Sequence, residues 1–384
     1  MVEWMLIGLL ITGFADGKFP VRYLGIPLDS KKLNANHYMP LIDKVMARIR
    51  HWTAKLLSIA GRIQLVKSTL TAIAQFWMAS LPFPASIIQK LESMCRSYIW
   101  AGSSSLSKKS PVAWKRVCTP IKQGGLSILN LQVWNLVAAL KCLWKISMKE
   151  NNLRVKWIHS YYLKGRDVLS DIQNTNCTWI TKSIMASKEM LGRIGNLWQD
   201  MKVQKKFSMM RVYDVLIDDN TRTDWYHLLA HNFARPRAKV IMWLVCLNRL
   251  PTKVRLKNMG ILQSSNCQLY NNEEEDLEHL MYNCSETAQV WIDTLKWMNM
   301  DIHQQVTLDW LKKIAKGKGW KNHVFKVVAT EACYGIWMYR NSKIFENKGS
   351  YSDMHRVTRN IVDSIVYRGW MKPKYRKHIV NILM

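Results

Sequence analysis

The chain has 384 residues, with 56 lysines and arginines against 27 acidic residues and a formal net charge of +29. Hydrophobic residues make up 48% of it, which excludes a wholly disordered chain and permits sizeable buried cores. A cationic excess this large must lie at the surface, so it favours polyanionic partners, of which nucleic-acid phosphate backbones are the commonest. An inert basic surface, or attraction to a membrane surface, is the alternative.

The eight cysteines are spread thinly along the chain, without the dense spacing of disulfide-rich secreted domains. We expect reduced thiols in an intracellular protein, nuclear or cytoplasmic. An apolar stretch at residues 5–11 resembles a weak signal-peptide core, but Glu3 precedes it and no basic segment does. The stretch is also shorter than the roughly 20 residues that a membrane span needs. We therefore expect neither secretion nor a membrane partner.

The first half of the chain predicts a helical bundle. Residues 19–28 form a β-favouring segment between two prolines, so a short extended element is expected there. Three amphipathic stripes follow, each with apolar residues at steps of three and four. They run through Met39, Ile42, Met46, Ile49 and Trp52, then Ile63, Val66, Leu70, Ile73 and Trp77, then Ile88, Leu91, Cys95 and Ile99. Ser58 is a candidate N-cap for the second helix.

Further along, Gly124-Gly125 predicts a turn between short strands at 114–118 and 126–131, because glycine tolerates positive φ. Helical periodicity resumes at 133–148 and returns at 234–246 and 301–346, whereas 150–235 is less regular and is expected to hold local helices. The prediction is a mainly α chain with a few short strands: a helical bundle, then a helical domain around a Cys/His cluster.

Five sequence blocks stand out between about residues 19 and 345. They read FPVRYLGIPL at 19–28, WTAKLLSIAGR at 52–62, WKRVCTP with GGLSI at 114–120 and 124–128, RLPT at 249–252 with the Cys/His cluster after it, and IWMYRN at 336–341. In this order they resemble the C-terminal part of plant LINE-type (non-LTR) retrotransposon reverse transcriptases. Each block alone is weak, and their shared order makes the resemblance specific.

The resemblance implies a domain organisation. It consists of a remnant of the segment that follows the palm at 1–36, a helical thumb-like domain at 37–150, a linker or connection region at 151–233, a reverse transcriptase zinc-binding-like domain at 234–300, and a helical basic tail at 301–384 that leads toward a missing ribonuclease H domain. On this interpretation the fingers and most of the palm lie before residue 1.

Catalysis is not expected. A polymerase of this kind needs paired carboxylates to hold two Mg²⁺ ions, and the family supplies them from a YADD-type turn and an earlier aspartate. The segment at 14–17 resembles that turn only superficially, since Asp16 is its one carboxylate and the 19–28 block follows directly. After residue 345 only Glu346, Asp353 and Asp363 are acidic, too few for a ribonuclease H site. We expect no magnesium site and no enzyme activity.

The family's zinc pattern is C-x2-C, an acidic stretch, and then histidine and cysteine. Cys267, His279 and Cys284 match three of these ligands, and Tyr270 stands in place of the fourth. A structural zinc takes four ligands, and a phenol is protonated at neutral pH. The alternatives for the fourth place are water or a carboxylate of Glu273, Glu274, Glu275 or Glu278. Two interpretations stay open, a weakened zinc site or an ordinary helix–turn segment, and the missing ligand favours the second.

In the family the thumb grips the template–primer duplex, chiefly through phosphates. The corresponding candidates here are Lys44, Arg48, Arg50, Lys55, Arg62 and Lys67. Each alone is better explained as a solvated charge, so the hypothesis concerns the set: non-specific binding of RNA or DNA that weakens with salt. The alternatives are a translated element remnant without a selected biochemical role, or a protein-interaction module whose partners the sequence does not identify.

Overall fold

The computed structural model describes residues 21–23, 25–28, 33–52, 57–80, 82–102, 110–170, 177–270, 273–300, 304–345 and 353–383. Several positions named above lie outside these ranges, namely residues 1–20 with the 14–17 turn, Lys55 and Glu346. The chain divides into two compact units. The first comprises Met1–Thr53, Leu65–Ser107 and Leu129–Asp218, and the second comprises Ala54–Gln64, Lys108–Ile128 and Asp219–Met384.

The fold is mainly helical, which confirms the predicted fold class. Two short strands, β1 (Val21–Tyr23) and β2 (Ile26–Leu28), pair antiparallel across Gly25, whose φ is +83°. The helices are α1 (Met39–His51), α2 (Ile59–Leu65), α3 (Thr71–Met78), α4 (Ala85–Ala101), α5 (Trp114–Cys118), α6 (Leu131–Ser147), α7 (Leu153–Ile158), α8 (Trp179–Ala186), α9 (Leu191–Gln204), α10 (Met209–Ile217), α11 (Tyr226–Leu229), α12 (Pro236–Cys246), α13 (Lys253–Asn258), α14 (Ser285–Trp297), α15 (Leu308–Ala315), α16 (Trp320–Ile344), α17 (Met354–Trp370) and α18 (Pro373–Leu383). Single 3₁₀ or π turns occupy Ala35–Tyr38, Val66–Leu70, Ile121–Gln123, His159–Leu163, Ser187–Met190 and His279–Asn283.

Helix α6 lies at the centre of the first unit, packed against α3, α4, α8 and α10. Its N-cap, Asn130, accepts backbone hydrogen bonds from the first turn, as N-cap side chains commonly do. The backbone N–H of Asn130 donates to the hydroxyl of Tyr213 at 2.9 Å, and the ring of Tyr213 packs edge-on against Trp134. These contacts join α6 to α10.

The second unit is built around α16, which packs against α12, α14, α15 and α17. Val324, Phe325 and Ile336 are wholly excluded from solvent, and nearly every residue from Val324 to Arg340 is buried, so this part of the helix is buried on all faces and not only on one stripe. Trp243 of α12 is also fully buried, and its indole N–H donates to the carbonyl of Gly124 at 2.9 Å.

One local prediction is wrong. Residues 114–118 form the short helix α5 and not a strand, and 126–130 form no strand before α6 begins. Gly124, with a φ of +85°, ends the turn Ile121–Gln123. A Cβ on Gly125 would lie 2.0 Å from the carbonyl oxygen of Thr119, so no side chain fits there. The two glycines therefore serve a tight packed turn, and a hairpin is not formed.

The second helix begins as predicted, because the Oγ of Ser58 accepts a hydrogen bond from the N–H of Gly61 at 3.3 Å. The region at 151–233 holds the local helices that were expected. The five predicted domains follow family segments, and the division into two compact units does not decide their bounds, so they stay predictions. Within the described ranges, no helix combines the length and apolarity that crossing a membrane requires.

Candidate metal centre

Two short backbone connections bring the candidate zinc ligands together. The N–H of Cys267 donates to the carbonyl of Glu273 at 2.8 Å, which folds the acidic stretch back over the cysteine. The N–H of Cys284 donates to the carbonyl of His279 at 2.7 Å and closes the π turn His279–Asn283 directly before α14. The side chain of Asp276 accepts from the N–H of His279 at 2.7 Å and fixes the start of that turn.

Cys267, His279 and Cys284 form a cluster with the geometry of a metal site. One ligand atom from each side chain lies within 4.8 Å of the others. The two cysteines are fully buried and His279 is 5% exposed. Three converging donors of this kind, two sulfurs and an imidazole, are the donor set that zinc prefers.

The orientation of His279 identifies which of its nitrogens faces the cluster. Nδ1 lies 2.6 Å from a carboxylate oxygen of Glu273. Nε2 is buried and has no hydrogen-bond partner among the described residues. A histidine that ligates a metal through one nitrogen commonly donates its other N–H to a carboxylate. A buried polar atom without a partner is costly, so the orphaned Nε2 fits a metal ion at this place.

The thiols differ from the other buried cysteines of the chain. Burial raises the pKa of Cys95 and Cys333 to about 12. A hydrogen bond with Cys284, aided by the backbone N–H groups of Tyr270 and Leu269, instead lowers the pKa of Cys267 to about 5. The same shared hydrogen bond raises the pKa of Cys284. A lowered pKa favours the thiolate, which is the form that binds metal.

Tyr270 stands at the position of the fourth ligand in the family pattern. It is 40% exposed, whereas the three grouped ligands Cys267, His279 and Cys284 are buried. The four neighbouring carboxylates that were candidates for the fourth ligand either bond to other side chains or are exposed. Glu273 bonds His279, Glu274 bonds Ser265 and Lys257, Glu275 pairs with Arg340, and Glu278 is exposed. Water remains the candidate for the fourth ligand.

Two ion pairs of the second unit each contain a fully buried carboxylate, and sequence spacing gave no indication of either. Arg340 donates from Nε to both oxygens of Glu275 at 3.1 Å, and these side chains are 5% and 0% exposed. Arg235 donates to the fully buried Glu331 from its backbone N–H at 2.7 Å and from Nε at 2.8 Å. The first pair joins the acidic stretch beside the metal cluster to α16.

Five of the six predicted phosphate contacts lie among the described residues, and their action as one site stays a prediction. Lys44, Arg48 and Arg50 are exposed on α1, where the spacing of four residues places Lys44 and Arg48 on one face and Arg50 on another. Arg62 and Lys67 are partly buried, and burial lowers the pKa of Lys67. Lys55 lies outside the described residues. Only Lys44 and Arg48 are therefore shown to share a surface.

Comparison with known proteins agrees with this geometry. Residues 207–291 match the family described as zinc-binding in reverse transcriptase, and this range contains all three grouped ligands. A protein of Arabidopsis thaliana named as a putative ribonuclease H protein is 29% identical to the chain over 140 residues. That alignment covers 36% of this chain and 23% of the relative, so the chain spans about a quarter of the relative's length. The two similarities support a retrotransposon-derived protein.

Proposed function

We propose that this chain is a LINE-type reverse transcriptase segment of plant origin that holds one zinc ion and binds nucleic acid without catalysing a reaction. The observation that carries the proposal is the buried cluster of Cys267, His279 and Cys284 with its orphaned Nε2. The order of the five family blocks and the match over 207–291 support the element type.

The metal's part is structural. A bound zinc supplies a cross-link whose binding free energy adds to the stability of the fold. The chain's own residues supply the rest: two sulfurs and one nitrogen as ligands, and a carboxylate that orients the imidazole. Glu275 and Arg340 fix the acidic stretch against α16, so the cluster keeps its shape. With water as the fourth ligand, we expect weaker binding than in a site with four protein ligands.

The nucleic-acid part of the proposal is supported by the net charge of +29 and by the exposed cations of α1. Contacts to phosphates carry no sequence information, so binding is non-specific and falls steeply as salt is added. All eight cysteines are free thiols, which supports an intracellular location, nuclear or cytoplasmic.

The absence of catalysis belongs to the same proposal. Its support is the sequence, in which the YADD-like segment at 14–17 has a single aspartate. In the second unit, the fully buried carboxylates of Glu275 and Glu331 are each paired with an arginine, so neither is free to bind a metal ion.

A gel-shift titration tests the nucleic-acid binding. The zinc-saturated chain is mixed with DNA and RNA oligonucleotides of unrelated sequence at increasing salt concentrations. We expect similar affinities for all of them and a loss of affinity as salt is added. Primer extension and RNA-strand cleavage with added Mg²⁺ test the other half, and product in either assay contradicts it.

A further inference from the structure

The charges of Arg368 and Lys372 both act on Lys239 in the second unit, and we call these three cations the cationic cluster. Lys239 lies near the start of α12, Arg368 lies in the last turn of α17, and Lys372 follows that helix. The guanidinium of Arg368 donates to the carbonyl of Phe233 at 3.4 Å, and the ring of Phe233 stacks on Tyr375 with centroids 5.0 Å apart. These contacts hold the junction of α17 and α18 against the segment that leads into α12.

Among the described residues, the negative charge beside the cationic cluster is too small to neutralise it. The carboxylate that acts on Lys239 there is that of Glu331. This carboxylate is fully buried and is already bound by Arg235 through its backbone N–H and its guanidinium. Burial lowers the pKa of Lys239, and the charges of Arg368 and Lys372 lower it further. The positive charges of the cluster therefore repel one another, and a bound anion would reduce that repulsion.

Exposed aromatic rings lie on the same helix as Arg368. Trp370 is 48% exposed and Tyr367 is 66% exposed, although large aromatic side chains are usually buried. The guanidinium of Arg376 lies 5.5 Å from the ring centre of Trp370, and its Nε donates to the Trp370 carbonyl at 3.2 Å. Cations interleaved with open aromatic faces are suited to a strand whose phosphates and bases alternate.

A further cation lies beside the cluster on α18. Lys374 is exposed, and its ammonium lies 5.8 Å from the ring centre of Tyr375. The ring of Tyr375 also stacks on Phe233, whose carbonyl accepts a hydrogen bond from Arg368. Lys326 on α16 is buried and takes no part in this surface. Tyr375 therefore joins Lys374 to the cationic cluster, and several neighbouring cations fit a polymer of phosphates better than a single anion.

We propose that the cationic cluster binds the phosphate backbone of a single-stranded nucleic acid, with Trp370 placed to stack on a base. The proposal rests on the nucleic-acid binding put forward above and assigns it a surface other than α1. A membrane surface has the same anionic chemistry, but it offers no planar bases to the exposed tryptophan.

The test measures binding of the full zinc-saturated chain to a fluorescent single-stranded DNA oligonucleotide by anisotropy across a range of salt. The variant carries Lys239→Gln, Arg368→Gln and Lys372→Gln. Each lost phosphate contact lowers the slope of log affinity against log salt by about 0.7, so three contacts lower it by about 2 and weaken binding at 0.1 M salt by about tenfold or more. Trp370→Ala should weaken binding without changing the slope.

A matched control carries Lys156→Gln, Lys182→Gln and Lys206→Gln, three exposed lysines of the first unit that remove the same charge. We expect its affinity to stay within about twofold of the parent. Equal losses in the two variants would overturn the proposal, because net charge alone would then explain binding. If the parent binds and the cluster variant binds equally well, the proposed function stands and this inference fails. If the parent does not bind, nucleic-acid binding itself is refuted.

Stability separates a binding role from a structural one. Removing the repulsion should leave the urea midpoint of the cluster variant unchanged or raise it. If the midpoint of the cluster variant falls instead, the single variant Lys372→Gln, at an exposed position, is used for the binding test. If its affinity for the oligonucleotide equals that of the parent, the proposal is overturned. The last experiment measures binding to vesicles that contain phosphatidylserine. If the cluster variant loses vesicle binding but still binds the oligonucleotide, the cluster binds a membrane and the inference is refuted.

Discussion

Arg340 and Glu275 form an ion pair in which both side chains are almost wholly excluded from water. Glu275 also accepts a hydrogen bond from the backbone N–H of Lys253 at 3.0 Å, at the start of α13. A single carboxylate thus joins the acidic stretch beside the metal cluster to two helices. Because the stretch is held in this way, the cluster does not depend on the exposed residue at position 270 for its shape.

The first prediction follows from the burial of this pair. Arg340→Met removes the cation and leaves the Glu275 carboxylate buried without its partner, which should lower the free energy of unfolding by about 3–5 kcal/mol. Urea denaturation followed by circular dichroism measures the loss. Arg359→Met, at an exposed position on α17, is the control and should change stability by less than about 0.5 kcal/mol. Equal effects of the two changes would contradict the role given to Arg340.

The second prediction concerns the carboxylate behind the histidine. Glu273→Ala removes the group that orients His279, so zinc affinity should fall by about 10- to 100-fold while one equivalent still binds. Competition with a zinc indicator measures the affinity. Glu274→Ala is the matched control, since that carboxylate bonds Ser265 and Lys257 and not the histidine. A loss of the same size in the control would argue against the orienting contact.

The third prediction concerns the position of the fourth ligand. Tyr270→Cys restores the second thiolate of the C-x2-C pair and should raise zinc affinity, because a fourth protein ligand replaces water. Tyr270→Phe should leave affinity unchanged, since the phenol is not a ligand in this account. If Tyr270→Cys brings no gain, position 270 does not face the metal.

The fourth prediction is a pH dependence of stability. Burial, followed by the charges of Lys326 and other cations, lowers the pKa of His227 and of His323 below the usual value. On acidification from about pH 7 the unfolded chain binds these protons first, so stability is complete above the unfolded pKa and is lost as the pH falls. Urea midpoints at about pH 7 and pH 5 should therefore differ more for the parent than for the variant with His227→Gln and His323→Gln. Parallel pH profiles would contradict the lowered pKa values.

The fifth prediction concerns α1. Lys44→Gln with Arg48→Gln removes two cations from one helix face and should lower the salt slope of duplex binding by about 2. Lys182→Gln with Lys206→Gln removes the same charge elsewhere in the first unit and should leave the slope nearly unchanged. Gel shifts at several salt concentrations compare the two variants. Identical slopes would remove α1 from the proposed interface.

The helices could be predicted because apolar residues at steps of three and four locate α1 and α4. The candidate ligands Cys267, His279 and Cys284 came from the resemblance to the family zinc pattern, and the structure groups these three side chains. The supporting pair could not be predicted in this way, since Glu275 and Arg340 are 65 residues apart and no periodicity links them. Only packing against α16 brings them together.

The double glycine shows a different limit. Gly124-Gly125 permits positive φ and so indicates a tight turn, but a tight turn can connect helices as well as strands. The decisive facts are tertiary: Gly125 abuts Thr119, and Gly124 provides the carbonyl for the buried indole of Trp243. The choice between a hairpin and a packed helical turn was therefore not available from residues 114–131 by themselves.

The most direct test of the account is the zinc content of the purified chain. The protein is dialysed under reducing conditions, titrated with zinc against an indicator, and compared with a variant carrying Cys267→Ser and Cys284→Ser. The account predicts close to one zinc per parent chain, none on the variant, and a higher thermal midpoint for the parent when zinc is bound. A ratio near zero for the parent, or equal uptake by the variant, would contradict it.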